Sequence, residues 1–156
     1  MTVSKMTPQE IRTEWLKRLR SGEYEQTTGN LHLNGKFCCL GVLCTIGEEA
    51  GLLESKVEKP TTWRTGEDPV DRVIYKDING DSGQWVHNIL PNKFANYLGM
   101  DVGGRIAGEF TPISNHSSSP GWGPGIYSLY ELNDTLKYSF EEIADVIENN
   151  SEKVFK

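Results

Sequence analysis

Three cysteines, Cys38, Cys39 and Cys44, fall inside the block Phe37 to Cys44, and their spacing restricts how this chain holds itself together. Structural zinc sites draw on paired ligands at CxxC-type spacing with a second Cys or His pair. Here two cysteines are adjacent, so on a helix their side chains diverge by about 100°. The third lies five positions beyond Cys39, again off the same face, and the histidines His32, His87 and His116 are scattered. No CxxC pair is present for redox exchange. The block reads as core packing, cysteine serving as a small buried hydrophobe between Phe37 and Leu40. One reactive alternative stands beside it: Cys38 falls near the N-terminus of a predicted helix, where the dipole lowers a thiol pKa. No histidine in the sequence is tied to it as a base.

Without a staple or a metal, the fold rests on its hydrophobic core. A chain of 156 residues forms one domain and buries about two-thirds of the surface that its unfolded form exposes. The longest apolar run, Leu40 to Ile46, is broken by Gly41 and Thr45 and is too short to span a bilayer. Residues Met1 to Gln9 lack the apolar core of a secretory signal, and the cysteine count is odd. A reducing cytosol is therefore the expected compartment.

The net charge is −6, distributed unevenly. Residues 1–40 carry six Lys/Arg against four Asp/Glu, and the remainder carries ten against eighteen. Such an acidic balance argues against a general nucleic-acid binder, which needs a basic stripe to neutralise phosphates, and with no apolar run long enough to span a bilayer no membrane partner is expected. It leaves room for a small pocket with one or two arginines.

Local signals outline the elements. Thr7, Pro8 and Glu10 form the start of a helix over 8–21, with Ile11, Trp15, Leu16 and Leu19 on one face and Gly22 as its stop. Leu31, His32 and Leu33 followed by Asn34-Gly35 predict a β-hairpin. A second helix is expected from Cys38 to Ala50, ending at Gly51. Gly41 and Gly47 weaken it unless another backbone approaches closely. Residues 54–70 read as an irregular polar excursion, Arg72 to Ile78 as a strand, and Trp85-Val86 as the start of a returning strand. A third helix is expected from Pro91 to Leu98 with Gly99 as its stop. Residues 111–125, with three prolines, three glycines and four serines, read as a long irregular loop. Ser139 and Glu142 open the last helix, and Asn133-Asp134 before it reads as shaping a turn, or else as a buried pair that holds a loop or faces a pocket. The expectation is a single compact α+β domain over 1–156, with about four helices packed against short antiparallel β-hairpins.

Few groupings carry chemistry. Asp77 to Asp81 resembles the start of a calcium loop, but the sixth position is Ser82 and the twelfth Asn88, where glycine and a bidentate glutamate are needed. No phosphate-binding glycine loop with a following lysine occurs. Val102-Gly103-Gly104-Arg105 is the nearest approach to a backbone anion nest beside a guanidinium. Trp63-Arg64 and Trp122 lie in segments without regular structure. There an indole can close over a planar ligand and an arginine can pair with its phosphates. No catalytic set, metal or cofactor emerges.

Several blocks together resemble a known group: Trp15 to Gln26 (WLKRLRSGEYEQ), Phe37 to Cys44 (FCCLGVLC), Leu90-Pro91 with Tyr97 to Gly99, Leu132 to Asp134 (LND) and Ser139 to Asp145 (SFEEIAD). In that order they resemble a family of small uncharacterised proteins common in tailed bacteriophages and prophages. The resemblance implies an accessory protein acting in the host bacterial cytoplasm, and brings no catalytic residues. The leading expectation is a non-catalytic anti-defence protein that sequesters a small nucleotide-type signal. Arg64, Arg105 and Trp122 are the candidate contacts, with Tyr24 and Gln26 as polar contacts from the loop after the first helix. A ligand pocket shared between copies makes a homo-oligomer part of that expectation. Two alternatives stand: an inhibitor of a host defence protein acting through acidic residues Glu141, Glu142, Asp145 and Glu148, and an enzyme degrading such a signal through Cys38 or Asp134.

Overall fold

The first helix, α1, covers Pro8–Arg20 and begins as its sequence predicts. The Thr7 hydroxyl accepts from the Glu10 backbone N–H, and the Glu10 carboxylate accepts from Thr7 N–H. Ile11, Trp15 and Leu19 form its buried stripe. These coordinates are a computed structural model that describes residues 6–58, 71–78, 84–112 and 123–155. Trp63, Arg64, His116, Trp122, the turn at 79–83, and the bulk of the two expected loops (59–70 and 113–122) lie outside the described residues.

The remaining elements are β1 (His32–Leu33), β2 (Lys36–Phe37), α2 (Cys39–Glu49), β3 (Leu53–Glu58), β4 (Arg72–Asp77), α3 (Asn92–Leu98), α4 (Leu129–Asp134), α5 (Phe140–Asn149) and α6 (Ser151–Val154). The four strands form one antiparallel sheet in the order β2-β1-β4-β3. Asn34 and Gly35 both adopt positive φ, 51° and 80°, the geometry that a tight hairpin turn requires. The chain is a single α+β domain in which, among the described residues, four helices have seven or more residues.

Helix α2 is the hub of the core. It packs on α1, α4, β2 and β3, and Cys39, Leu40, Val42, Leu43, Cys44 and Ile46 are fully buried. A helix this widely apolar belongs in an interior, with only Thr45, Glu48 and Glu49 reaching the surface. Gly41 is the contact that admits it. A Cβ there would stand 1.7 Å from the Leu31 carbonyl oxygen, so the backbone before β1 lies directly against the helix. At Gly47 the neighbours are the Phe94 ring and a Leu53 methyl.

Three readings need correction. Residues 54–58 are not irregular: they belong to β3, whose Glu54 and Glu58 pair with Lys76 and Arg72 of β4. Alternating charges here mark the solvent face of an edge strand, not a loop. The returning strand at Trp85-Val86 reduces to one bridge, Val86 with Tyr75. Asn133-Asp134 ends a helix instead of forming a turn. Ser128 and Glu131 cap α4 reciprocally, and that S-x-x-E pattern was readable in the sequence.

Candidate functional site

The cysteine block is inert by geometry. Cys38, Cys39 and Cys44 are free thiols with 3%, 0% and 0% exposure. Burial pushes the Cys38 thiol up to about 12, outweighing the N–H groups of Gly41 and Leu40 that favour the thiolate. Burial raises Cys39 and Cys44 further. The helix-dipole route to a reactive Cys38 therefore loses to desolvation. Asp77 is likewise committed: its carboxylate oxygens accept the N–H groups of Lys93 and Phe94 at 2.9 Å each, closing the start of α3.

Tyr24 and Gln26 serve internal contacts. The Tyr24 ring meets Phe37 edge-on at 5.2 Å, and its hydroxyl accepts from Arg18 at 3.4 Å. Arg18 is held by Glu49 through two 2.8 Å bonds and by Glu14 at 2.8 Å. Glu49 first, then Glu14, keep that guanidinium firmly protonated. The depression around Tyr24 carries Glu14, Glu23 and Glu49 with Lys17 and Arg18 on its wall, and Arg18 is already engaged by Glu14 and Glu49. Gln26 donates both amide hydrogens inward, to Asn133 Oδ1 and to the Tyr138 carbonyl, each at 2.7 Å.

Asn133 is the only buried polar side chain among the described residues, at 1% exposure. Its Oδ1 accepts from Gln26 and from the Cys39 backbone N–H at 3.2 Å. Its Nδ2 donates to the Thr27 carbonyl at 2.9 Å and to Asp134 Oδ1 at 2.7 Å. Asp134 Oδ2 accepts the Gly29 N–H at 2.8 Å. One amide thus joins the end of the WLKRLRSGEYEQ block, the cysteine block and the LND motif, a convergence invisible in sequence. The nearby Tyr130 phenol is pushed up, by burial first and then by the Asp134 charge.

Arg105 stands apart from both. It lines a cavity of about 320 Å³ with Asp101, Ala107, Gly108 and Val154. Its strand-like bridge to Ser128 fixes the backbone, while its guanidinium makes no ion pair or hydrogen bond among the described residues. The predicted backbone nest beside it is already filled. Gly103 N–H donates to Asp101 Oδ2 at 3.1 Å, and Gly104 N–H donates to the Asp101 carbonyl at 3.0 Å. Gly104, at φ 73°, lies against Leu129, so these glycines shape a turn and leave anion contact to the side chain. Tyr24, Gln26 and Arg105 line three different cavities; the structure does not bring them into one site. Arg64 and Trp122 lie outside the described residues.

Among the described residues, no three His, Cys, Asp or Glu side chains are grouped to hold a metal ion, and no helix is long and apolar enough to cross a membrane. A sequence model of the family described as "Domain of unknown function (DUF8296)" matches residues 6–151. No curated protein and no solved structure matches the chain.

Proposed function

We propose that this chain, which belongs to the DUF8296 family, is a non-catalytic binding protein that holds a phosphate-bearing, nucleotide-type small molecule at Arg105. The observation that carries this reading is the Arg105 guanidinium, without an ion pair or hydrogen bond among the described residues, on the wall of the cavity it shares with Asp101. A guanidinium presents parallel N–H donors that match two phosphate oxygens. The Asp101 carboxylate supplies an acceptor for a ribose hydroxyl or a base amino group. Buried, protonated thiols support binding over turnover.

The resemblance to phage and prophage proteins supports the biological setting: a virus-encoded factor in the bacterial cytoplasm that sequesters a host immune signal. That part rests on resemblance and not on the cavity. The alternative of an inhibitor with an acidic helix has less support. Arg20 pairs with Asp145 and Glu148, and Glu142 caps its own helix, so much of that charge is engaged internally.

Calorimetry of the full chain against cyclic nucleotides and ADP-ribose-type molecules tests the proposal. Expected is saturable binding to a member of the panel, at least about tenfold weaker in Arg105→Ala. The ligand should return intact after denaturation, as chromatography reads; a released product would instead mean an enzyme. The calorimetric stoichiometry reads whether one ligand serves one chain or a homo-oligomer. A folded protein that binds none of the panel overturns the proposal.

A further inference from the structure

The second polar cavity, about 230 Å³, is lined by Gln26, Thr27, Thr28, Asn133, Lys137 and Tyr138. We infer that this cleft is a binding site for a small hydroxylated molecule bearing an oxyanion, with Lys137 as the cation that receives it. The inference concerns different residues from the Arg105 cavity and stands or falls separately.

The floor of the cleft is built rigidly. Asn133 is buried with all of its amide capacity used, and it ties Gln26, Thr27 and Cys39 to α4. Asp134 accepts from Gly29 and from Asn133, which pins the 27–29 loop and turns the nearest carboxylate into internal bonds. Gln26 spends both N–H donors on Asn133 and Tyr138. It can therefore offer a ligand only its carbonyl, an acceptor for a hydroxyl. Thr27 and Thr28 add hydroxyls that donate or accept. A lining held by a buried hydrogen-bonded layer is what a binding site needs to be preorganised.

Lys137 supplies the charge and carries the strain. Among the described residues, only Asn34 and Lys137 adopt positive φ without being glycine, at 51° and 59°. Asn34 sits in a hairpin turn, where asparagine is at home. Lysine has no such tolerance, and the position between α4 and α5 is one where glycine would serve the backbone better. Its exposed ammonium has no hydrogen bond or ion pair among the described residues. Strain of this kind persists where a side chain is held for use. An ammonium without a partner among the described residues, lining one cavity with Thr27 and Thr28, suits an oxyanion, and the Gln26 carbonyl suits a hydroxyl on the same molecule.

The test is a two-dimensional ¹H–¹⁵N NMR titration of the full chain with ribose 5-phosphate and, separately, inorganic phosphate. Expected are saturating shifts at Thr27, Thr28, Gly29 and Lys137, with ribose 5-phosphate the tighter of the two. Lys137→Gly and Lys137→Asn both suit the left-handed backbone and remove the charge. Each should weaken binding at least about tenfold, with a melting temperature no lower than the parent's, which a merely structural lysine would not give. The inference is overturned if neither probe produces saturating shifts at the cleft, if shifts occur only around Arg105, or if either variant binds as tightly as the parent.

Discussion

Gln26 donates its amide N–H to Asn133 Oδ1 at 2.7 Å, across 107 positions of sequence. The same Asn133 oxygen accepts from Cys39 N–H, and its amide nitrogen donates to Thr27. Replacing Asn133 by alanine leaves the buried Cys39 N–H, the half-buried Thr27 carbonyl and part of the Gln26 amide without partners. Each such group costs about 1–3 kcal/mol. Asn133→Ala should lose about 3 kcal/mol or more in urea unfolding; a loss below about 1 kcal/mol would show that the network is dispensable.

Gly41 permits contact between α2 and the backbone at Leu31, with the added Cβ landing 1.7 Å from a carbonyl oxygen. Backbone cannot step aside as a side-chain end can. Gly41→Ala should therefore destabilise by about 3 kcal/mol or more. Gly47→Ala meets only the Phe94 and Leu53 side chains and should cost less. Chemical denaturation of the two variants side by side reads the difference.

The buried thiols give a pH signature. Cys38 is raised to about 12 in the folded chain, and an exposed thiol in the unfolded chain titrates near about 8.5. Above that lower value the unfolded state releases protons that the folded state keeps, so stability falls as pH rises from about 9 toward 12. Cys39 and Cys44 act in the same direction. Denaturation midpoints should decline steadily through this window. At neutral pH, a thiol reagent should label none of the three cysteines in the native state and all of them in urea.

Phe155 anchors the C-terminal end of the described chain. Its ring meets Trp15 edge-on at 6.3 Å, and the Arg12 guanidinium lies 4.1 Å above it. Arg12 also donates to the Leu98 carbonyl at 2.6 Å, linking α1 to the end of α3. Phe155→Ala should cost about 3 kcal/mol, through the lost packing of a nearly buried aromatic ring. A thermal melt within about 1 °C of the parent would contradict this.

Sequence by itself determined the bounds of α1, α2 and α3 to within a residue or so, the start of α5 and where the first hairpin turns. The Thr7–Glu10 and Ser139–Glu142 capping boxes, the positive-φ glycines Gly51 and Gly99, and the Asn34-Gly35 turn all act within a few residues, so their meaning survives without the rest of the chain. The Ser128–Glu131 cap was equally local, though Asn133-Asp134 after it carried a competing turn signal. Burial of the cysteines also followed from spacing and composition. Tertiary structure alone decided that Gln26 spends its amide N–H groups on Asn133 and Tyr138, that Asp101 fills the glycine turn beside Arg105, and that Tyr24, Gln26 and Arg105 occupy separate cavities. Those outcomes depend on which surfaces meet when distant segments pack. A hydrogen bond between residues a hundred positions apart leaves no periodicity or local motif from which to read it.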